Sequence, residues 1–432
     1  MNKKSKDVFV LGLALFAMFF GAGNLIFPPS LGLISGKNWI MCAVGFFLTA
    51  IGIPLLGIIA SAKAGGTIDD VGNKVGSVFS KIFATVIILA IGPLLAIPRT
   101  GATTYEMGIK PLFSGFSPVL TSILFFGLTL YFVIKPSEIV DKVGKILTPL
   151  LLLTIFIIII KGISSPIGVA TTLMDENPLS KGFKEGYQTM DALASLVFAS
   201  VMLNTLVSKG YKNVDEQISL TIKAGVIATI GLGLVYGGLI YLGSSANTVY
   251  PFDIPKSDLL MAITDTLLGS FGKITLAIVV SLACLTTSIG LTATVGNFFN
   301  KLSNNKLSYE FIVIATCIFS AVFANVGVEM IVKIAVPLLV TVYPVAIVLI
   351  LMNIFDEYIP QTSYIGAVSG ALFVSLYEGL SVMNIHINFL GNIISKIPLA
   401  NAGFAWVIPS ILGGFITTIL LNKKNQNKAY AK

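Results

Sequence analysis

Long apolar runs, separated by short polar segments, follow one another along the whole chain. Because a helix needs about 20 mainly apolar residues to cross a bilayer, each run is long enough to span one. A spanning helix satisfies its own backbone hydrogen bonds, and the sequence lacks the ten-residue alternation typical of a membrane barrel strand. The pattern therefore predicts an all-α polytopic membrane protein with twelve transmembrane helices. The runs lie near residues 8–33, 39–61, 82–104, 117–134, 146–163, 187–207, 221–243, 273–298, 308–327, 331–352, 363–381 and 403–421.

The composition excludes a water-soluble protein, since 55% of the 432 residues are apolar and only 11% are charged. If the N-terminus is cytoplasmic, 18 of the 28 basic residues fall in segments on the cytoplasmic side. Because basic residues are in excess on that side of membrane proteins, we predict that both termini are cytoplasmic. The net charge of +8 is then explained by orientation and by contact with lipid headgroups, without a nucleic-acid partner. No obligate protein partner is evident either. The 18 residues are Lys3, Lys4, Lys6, Lys63, Lys74, Lys81, Lys135, Lys142, Lys145, Lys209, Lys212, Lys223, Lys301, Lys306, Lys423, Lys424, Lys428 and Lys432.

The chain reads as one transmembrane domain over residues 1–432, because no linker or low-complexity stretch divides it. In runs one to five and runs six to ten, the first member of each set is interrupted by small or polar residues. Five crossings is an odd number, so two such sets would have opposite orientations in the membrane, and broken helices at matching positions point to a midplane site. We therefore predict a 5+5 inverted repeat with broken helices 1 and 6, plus two extra C-terminal helices. The parts are about 8–163, 187–352 and 363–421.

The first run contains the sequence GAGN at residues 21–24, followed by Pro28 and Pro29. A break there would free carbonyls that suit a small cation and amides that suit a carboxylate. Gly21 and Gly23 can adopt positive φ, and Pro28 would fall in the first turn of the second half-helix. The alternative is that both glycines only allow close packing of helices.

Asp191 lies a few residues inside the sixth run, where an ionised carboxylate is costly and needs a partner. The following residues, 192–195, are the predicted unwound piece. The competing interpretation places Asp191 at a helix N-terminus near the interface, where it only caps the helix.

Arg99 is the sole arginine of the chain and lies in the outer half of the third run. A planar and always charged guanidinium suits a carboxylate, either that of a substrate or that of Asp191. The alternative is that Arg99 reaches to the outer interface. Glu106, which is nearer the surface, could also pair with it.

The eighth run carries three adjacent hydroxyls, at Thr286, Thr287 and Ser288, in the repeat position that matches Arg99. Hydroxyl and carbonyl oxygens form a cage of low charge that fits a monovalent cation such as Na⁺. Helical Thr and Ser residues also bond back to their own helix, so a single hydroxyl would mean little.

Signals for enzymes are weak. His386 is the only histidine, and the sequence contains neither an HExxH or GxSxG motif nor a GxxxxGK[ST] loop for ATP. Cys42, Cys284 and Cys317 fall in apolar runs at wide spacing and suggest neither disulfides nor a metal site. We therefore expect transport driven by an ion gradient, not an enzyme.

Four motifs carry a resemblance to a known family: GAGNLIFPP, IPRTGATTYE, GYQTMDALASLVF and ACLTTSIGL, in this order. The chain resembles, over nearly its whole length, the bacterial branched-chain amino acid:cation symporters, the BrnQ-type carriers. More distantly, GAGN and ACLTTSIGL are similar to motifs of the sodium-coupled leucine-transporter fold, whose 5+5 repeat agrees with the pattern above.

The resemblance implies Na⁺-coupled uptake of leucine, isoleucine and valine across the bacterial cell membrane. Na⁺ is the expected coupling ion, and the substrate and the bilayer are the expected partners. By similarity to the fold, the ion would be held by two sets of oxygens, the carbonyls of Ala17, Phe20 and Ala283 and the hydroxyls of Thr286 and Thr287. A second cation site beside Asn24 is doubtful, because the seventh run supplies no asparagine in its core.

For the substrate, the resemblance implies that the carboxylate meets the amides near Gly21–Gly23 and that the ammonium group meets the carbonyls around Ala192–Ser195. Phe198 would face the aliphatic side chain. Ala199 departs from the family, in which glycine usually follows that phenylalanine. The predicted substrate-binding set is Gly21, Ala22, Gly23, Asn24, Arg99, Asp191, Ala192, Leu193, Ser195 and Phe198.

Two further functions stay open from the sequence. One is a proton-coupled carrier that uses Asp191 or Glu106 as the relay, and the other is a membrane sensor that binds amino acids without moving them. The lack of any sizeable soluble domain argues against the sensor.

Overall fold

The computed structural model describes residues 3–134, 138–171 and 174–430, and in this part of the chain it is built from helices without a β-strand. Lys135 and Lys432, two of the lysines assigned to the cytoplasm, lie outside the described residues. The helices are α1 (Lys3–Phe19), α2 (Ala22–Ser35), α3 (Trp39–Phe47), α4 (Ile53–Ala64), α5 (Ile68–Gly72), α6 (Ser77–Leu89), α7 (Ala96–Thr103), α8 (Pro118–Ile134), α9 (Glu138–Ser164), α10 (Pro178–Gly186), α11 (Asp191–Ser208), α12 (Val214–Ser245), α13 (Lys256–Leu302), α14 (Tyr309–Phe323), α15 (Val328–Ile354), α16 (Ser363–Val382), α17 (Asn388–Ile394) and α18 (Val407–Tyr430).

Every predicted apolar run coincides with one or more of these helices. Within the described residues, eight helical stretches are long and apolar enough to cross a membrane, and Pro118–Ile134, Pro149–Ser164 and Val407–Leu421 are shorter apolar helices. One long stretch, Ala22–Ala64, covers the second half of the first run together with the second run. The all-helical prediction is therefore confirmed, whereas the number of twelve crossings stays a prediction.

The first run is interrupted where α1 ends at Phe19 and α2 begins at Ala22. The interruption lies at Phe20 and Gly21, so three of the four residues of GAGN already belong to the first turn of α2. The expectation for Pro28 was wrong, because Pro28 and Pro29 lie inside α2 and not in its first turn.

The sixth run is also interrupted, but before Asp191 and not after it. A 3₁₀ turn at Tyr187–Thr189 leads to Met190, whose φ of 62° is left-handed, and α11 starts at the next residue. The prediction that Ala192–Ser195 are unwound was therefore wrong. Ala, Leu and Ser are compatible with a helix, and the left-handed residue at 190 ends the preceding turn instead.

Close contacts between backbones join α2 to α12. A Cβ atom on Gly32 would lie 1.9 Å from the carbonyl oxygen of Ile240, and one on Gly243 would lie 1.9 Å from that of Pro29. Small residues allow such approach between helices in lipid, where van der Waals packing drives association. The half-helix that follows the first break is therefore held firmly on α12.

We predict that Gly32→Ala lowers the free energy of unfolding by at least about 1–3 kcal/mol. The added methyl group overlaps the carbonyl oxygen of Ile240, which can move only together with the backbone of α12. Gly127→Ala is the matched control, because a Cβ at this exposed position of α8 meets no atom within 4 Å. Thermal unfolding in detergent measures the difference. A Gly32→Ala variant as stable as Gly127→Ala would contradict the α2–α12 packing.

Candidate functional site

The end of α1 and the start of α2 present free main-chain groups to one another. Gly21 is the N-cap residue of α2, with φ −110° and ψ −171° and no side-chain cap. The first amides of a helix have no hydrogen-bond acceptor within the helix, and in α2 these include the amides of Ala22 and Gly23. The last carbonyls of a helix have no donor within it, and in α1 these include the carbonyl of Ala17. The break thus offers carbonyls on one side and amides on the other, as the sequence predicted.

The expectation of a positive φ at the glycines of the break was wrong. Neither Gly21 nor Gly23 has a positive φ. A Cβ on Gly23 would lie only 2.6 Å from Nη2 of Arg99, whereas one on Gly21 would be 3.6 Å from the nearest atom, Cγ2 of Thr287. Gly23 is therefore required for the close approach of a guanidinium group.

Arg99, in α7, is 4% exposed and does not reach toward an interface. Its Nη1 donates a hydrogen bond of 2.7 Å to the carbonyl oxygen of Gln188, and its guanidinium lies over the ring of Phe27, 5.3 Å from the centroid. Its Nε is buried without a hydrogen-bond partner. Arg99 thus joins the first turn of α2 to the segment that precedes α11.

Asp191 is 3% exposed at the first position of α11, and its carboxylate does not cap that helix. Oδ2 accepts hydrogen bonds from Nδ2 of Asn24 at 2.7 Å and from the hydroxyl of Tyr236 at 3.2 Å, and Asn24 also contacts Tyr236. The carboxylate therefore links α2, α11 and α12 at the break.

The two expected ion pairs of Arg99 are not formed. Glu106 accepts hydrogen bonds from the N–H of Val328 at 2.9 Å and from the hydroxyl of Ser257, so its expected pairing with Arg99 was wrong. Among the described residues, no carboxylate oxygen lies within 4.0 Å of Arg99, Asp191 included.

The remaining predicted substrate residues lie along the first turns of α11. Ala192, Leu193 and Ser195 are fully buried, and the Ser195 hydroxyl donates to the carbonyl oxygen of Ala192 at 2.7 Å. Phe198 is half-buried, with its ring centroid 5.6 Å from that of Phe19. Because this part of α11 is helical, few of its carbonyls are free for an ammonium group. The role of each residue stays a prediction.

The predicted cation residues Ala283, Thr286 and Thr287 lie on α13, and Thr287 lies next to the break. A Cβ on Gly21 would lie 3.9 Å from its Oγ1. Thr286 donates to the carbonyl oxygen of Ala283 at 3.0 Å. Ser288 is fully buried and accepts a hydrogen bond of 3.2 Å from Thr129 of α8.

The chemistry of these donors fits an alkali cation. Carbonyl and hydroxyl oxygens are hard ligands of low charge. In the described part of the chain, no group of three or more His, Cys, Asp or Glu residues is placed to hold a metal ion. The predicted cation set offers only carbonyl and hydroxyl oxygens, a chemistry that suits Na⁺ better than a divalent ion; its members are Ala17, Phe20, Ala283, Thr286 and Thr287.

Sequence reasoning missed two members of this site. Tyr236 could have been suspected, because a tyrosine in the middle of an apolar run needs a partner for its hydroxyl. Gln188 takes part through its backbone carbonyl, which any residue type supplies, so the sequence carried no signal for it.

Two interrupted helices with buried charges between them, in an apolar helical bundle, are the layout of a secondary transporter.

Solved structures share the fold. MhsT in complex with L-phenylalanine matches with a TM-score of 0.58 and 15% identity over 94% of this chain and 98% of that chain. Mhp1 in an inward-facing conformation matches with a TM-score of 0.57 and 13% identity over 96% of this chain and 91% of that chain. Both belong to the leucine-transporter fold.

The family model for branched-chain amino acid transport proteins matches residues 4–424. The chain therefore belongs to this family of integral membrane transporters and is not an enzyme. It is 40% identical to the branched-chain amino acid permease BraB of Bacillus subtilis, over 98% of this chain and 97% of the relative. It is 37% identical to the permease BrnQ of the same organism, over 97% and 98%. It is 36% identical to the branched-chain amino acid transport system 2 carrier protein of Pseudomonas aeruginosa, over 94% of each chain.

We expect Gly23→Ala to lower uptake of branched-chain amino acids by at least about tenfold, because the methyl group displaces the guanidinium of Arg99. Gly127→Ala is the control and should stay within about twofold, since a Cβ at this position of α8 meets no atom within 4 Å and the residue lies outside the site. Uptake is measured in proteoliposomes after monodispersity has been verified by size-exclusion chromatography. Equal loss in both variants would refute the assigned contact.

Proposed function

We propose that this protein is a Na⁺-coupled symporter that takes up leucine, isoleucine and valine across the cytoplasmic membrane by alternating access. The observation that carries the proposal is the arrangement around one break. Thr287 of α13 faces the Gly21 side, and Arg99 and Asp191 contact the neighbouring residues Gly23 and Asn24. The names of the relatives, all branched-chain amino acid carriers, support the substrate class.

In this proposal the cation lies between the end of α1 and α13. The carbonyls of Ala17 and Phe20 would hold it from one side, and Ala283, Thr286 and Thr287 from the other. The hydrogen bond from Thr286 to Ala283 leaves the lone pairs of the threonine oxygen free for an ion. Bound Na⁺ supplies a positive charge that draws α1 and α13 together.

The amino acid would lie on the other side of the break. Its carboxylate meets the amides of Ala22 and Gly23 at the positive end of α2. The first turns of α11, with Leu193 and the half-buried Phe198, supply an apolar wall for the aliphatic side chain. Since ion and substrate share the two ends of one break, each favours the geometry that the other needs.

Contacts between helices at the end predicted to face outside are compatible with an alternating-access cycle, in which such contacts form and break. Lys256, at the head of α13, contacts the hydroxyl of Ser30 at 3.1 Å and a carboxylate oxygen of Glu185 at 3.5 Å. Glu106 joins α13 to α15 through Ser257 and Val328. These contacts tie the part of α13 before the non-helical Gly269 to α2, α10 and α15.

At the opposite end, α1 is held against α11 and α12. Asp7 forms an ion pair of 2.7 Å with Lys209, and Tyr211 donates to its other oxygen at 2.9 Å. Two hydrogen bonds lower the pKa of Asp7 from its ordinary value, and the one from Lys209 has a larger effect than the one from Tyr211. We assign this end to the cytoplasm, together with both termini, in a bundle of twelve crossings built as a 5+5 inverted repeat.

We predict that Thr287→Ala raises the Na⁺ concentration for half-maximal leucine uptake by at least about tenfold. The variant loses one oxygen ligand, and the loss of even an outer-shell partner lowers metal affinity by roughly 10–100-fold. Ser288→Ala is the matched control and should shift it little, since Ser288 faces Thr129 and not the break. Uptake of radiolabelled leucine against Na⁺ concentration measures both. A larger effect of Ser288→Ala than of Thr287→Ala would overturn the cation site.

Imposed ion gradients separate this proposal from proton coupling. We expect an inward Na⁺ gradient to drive leucine accumulation in proteoliposomes at equal pH with a protonophore present, and Asp191→Asn to keep Na⁺ activation with weaker leucine binding. Accumulation driven by a proton gradient without Na⁺ would support the proton-coupled carrier. Saturable leucine binding without accumulation under any gradient would indicate a sensor.

A further inference from the structure

A groove of about 740 Å³ runs along the surface of the bundle between α3, α9 and α12. This volume lies within the range of roughly 300–1,000 Å³ that is typical of ligand pockets. The walls of the groove are almost entirely apolar, and three glycines of α12 form part of them, Gly233, Gly237 and Gly238. None of the residues assigned above to the cation or to the amino acid lines the groove, so it is a separate feature of the molecule.

The groove has the length of one leaflet of a membrane. On α3 it extends from Trp39, the first residue of the helix, to Phe47, the last. Eight residues of α-helix rise by about 12 Å, and half of the hydrocarbon core of a bilayer is about 15 Å thick. Tyr241 lines the same end as Trp39, with their ring centroids 5.6 Å apart. Because tryptophan and tyrosine are enriched where hydrocarbon meets the headgroups, we place the mouth of the groove at this aromatic pair.

The glycines of α12 keep the groove open. A glycine inside a helix costs about 1 kcal/mol relative to alanine, so each one needs a reason from packing. At Gly238 the reason is a neighbouring helix, since a Cβ would lie 2.6 Å from Cδ1 of Ile159 in α9. At Gly233 a Cβ would meet only Cδ1 of Ile51, at an ordinary 3.8 Å. A side chain at Gly233 would therefore extend into the groove and not into another helix.

A positive side chain lies close to the mouth. Lys37 is two residues before Trp39 and is exposed, and none of the described carboxylates is within 4.0 Å of its Nζ. The carbonyl oxygen of Gly36 accepts a hydrogen bond of 3.0 Å from the hydroxyl of Ser244, which fixes this segment beside the end of α12. The groove therefore joins a long apolar surface to an unpaired cation at the level of the headgroups.

A phospholipid has the matching chemistry, because it joins long apolar chains to a phosphate group. Any apolar helix face in a membrane contacts lipid, so binding at one position requires closer packing than the rest of the surface offers. Dispersion contacts are individually weak and add up with the number of atoms in contact. A chain in the groove contacts three helices at once, whereas a chain on a flat helix face contacts one.

We propose that the groove between α3, α9 and α12 binds one phospholipid, whose acyl chain lies along Gly233 and Gly237 and whose phosphate lies at Lys37. The chain fills the space that side chains at these glycines would occupy, and it thereby connects three helices. The site is independent of the Na⁺ and amino acid sites proposed above.

The fluorescence of Trp39 reports on this groove directly. The chain contains only two tryptophans, and the other, Trp406, is buried with no hydrogen-bond partner for its indole nitrogen, so Trp406→Phe removes no hydrogen bond. Bromine atoms on an acyl chain quench tryptophan fluorescence on contact. When the Trp406→Phe protein in detergent is titrated with phosphatidylglycerol brominated in its acyl chains, we expect quenching that saturates. Quenching that only grows in proportion to the lipid fraction of the micelle would overturn the proposal.

Variants in the Trp406→Phe background locate the saturating site. Gly233→Leu and Gly237→Leu fill the groove from successive turns of α12, and each should raise the half-saturating lipid fraction at least about tenfold. Gly127→Leu is the matched control and should leave it unchanged, since a Cβ at this exposed position of α8 meets no atom within 4 Å. Equal half-saturation in all monodisperse variants would refute the groove. Lys37→Gln should raise the value about fivefold, the effect of about one lysine near an anionic lipid, and an unchanged value would overturn the position of the phosphate.

Discussion

The structure depends on one constraint, that a backbone interrupted inside a membrane finds no water to satisfy its polar groups. The interruptions at Phe20–Gly21 and before Asp191 are adjacent in space, since one side chain reaches both. Arg99 bonds the free carbonyl of Gln188 and lies against Gly23. The main-chain groups that remain free are then available to ligands. For this reason the site contains main-chain amides and carbonyls as well as side chains.

The buried charges follow from the same constraint. A charged side chain at membrane depth is costly unless other groups hold it. Asp191 is held by Asn24 and Tyr236 from two other helices, and Arg99 by a carbonyl and an aromatic ring. Each charge is thereby fixed by elements that belong to different parts of the bundle. A movement of α2 relative to α11 would change the environment of both charges.

Both ends of the bundle are held by a lysine–carboxylate ion pair together with hydrogen bonds. At the end assigned to the outside, Lys256 and Glu106 connect several helices near the head of α13, with Lys256 and Glu185 mostly buried. At the other end, the ion pair between Asp7 and Lys209 holds α1 on its neighbours. Partly buried pairs are screened less by salt than exposed ones. A carrier that alternates between two open states has to break one set while keeping the other.

The sequence by itself determined the features that depend on local composition: the helices, the interruption of the first run, and the intramembrane positions of Arg99 and Asp191. Length, hydropathy and the presence of Gly or Pro act over a few residues, so they are readable without a fold. Where the expectation needed exact backbone geometry it failed, as for residues 192–195 and for Pro28. Only the tertiary structure decided which groups meet. Tyr236 with Asp191, Thr129 with Ser288, and Arg99 with Gly23 are far apart in the chain, and packing of separate helices brings them together.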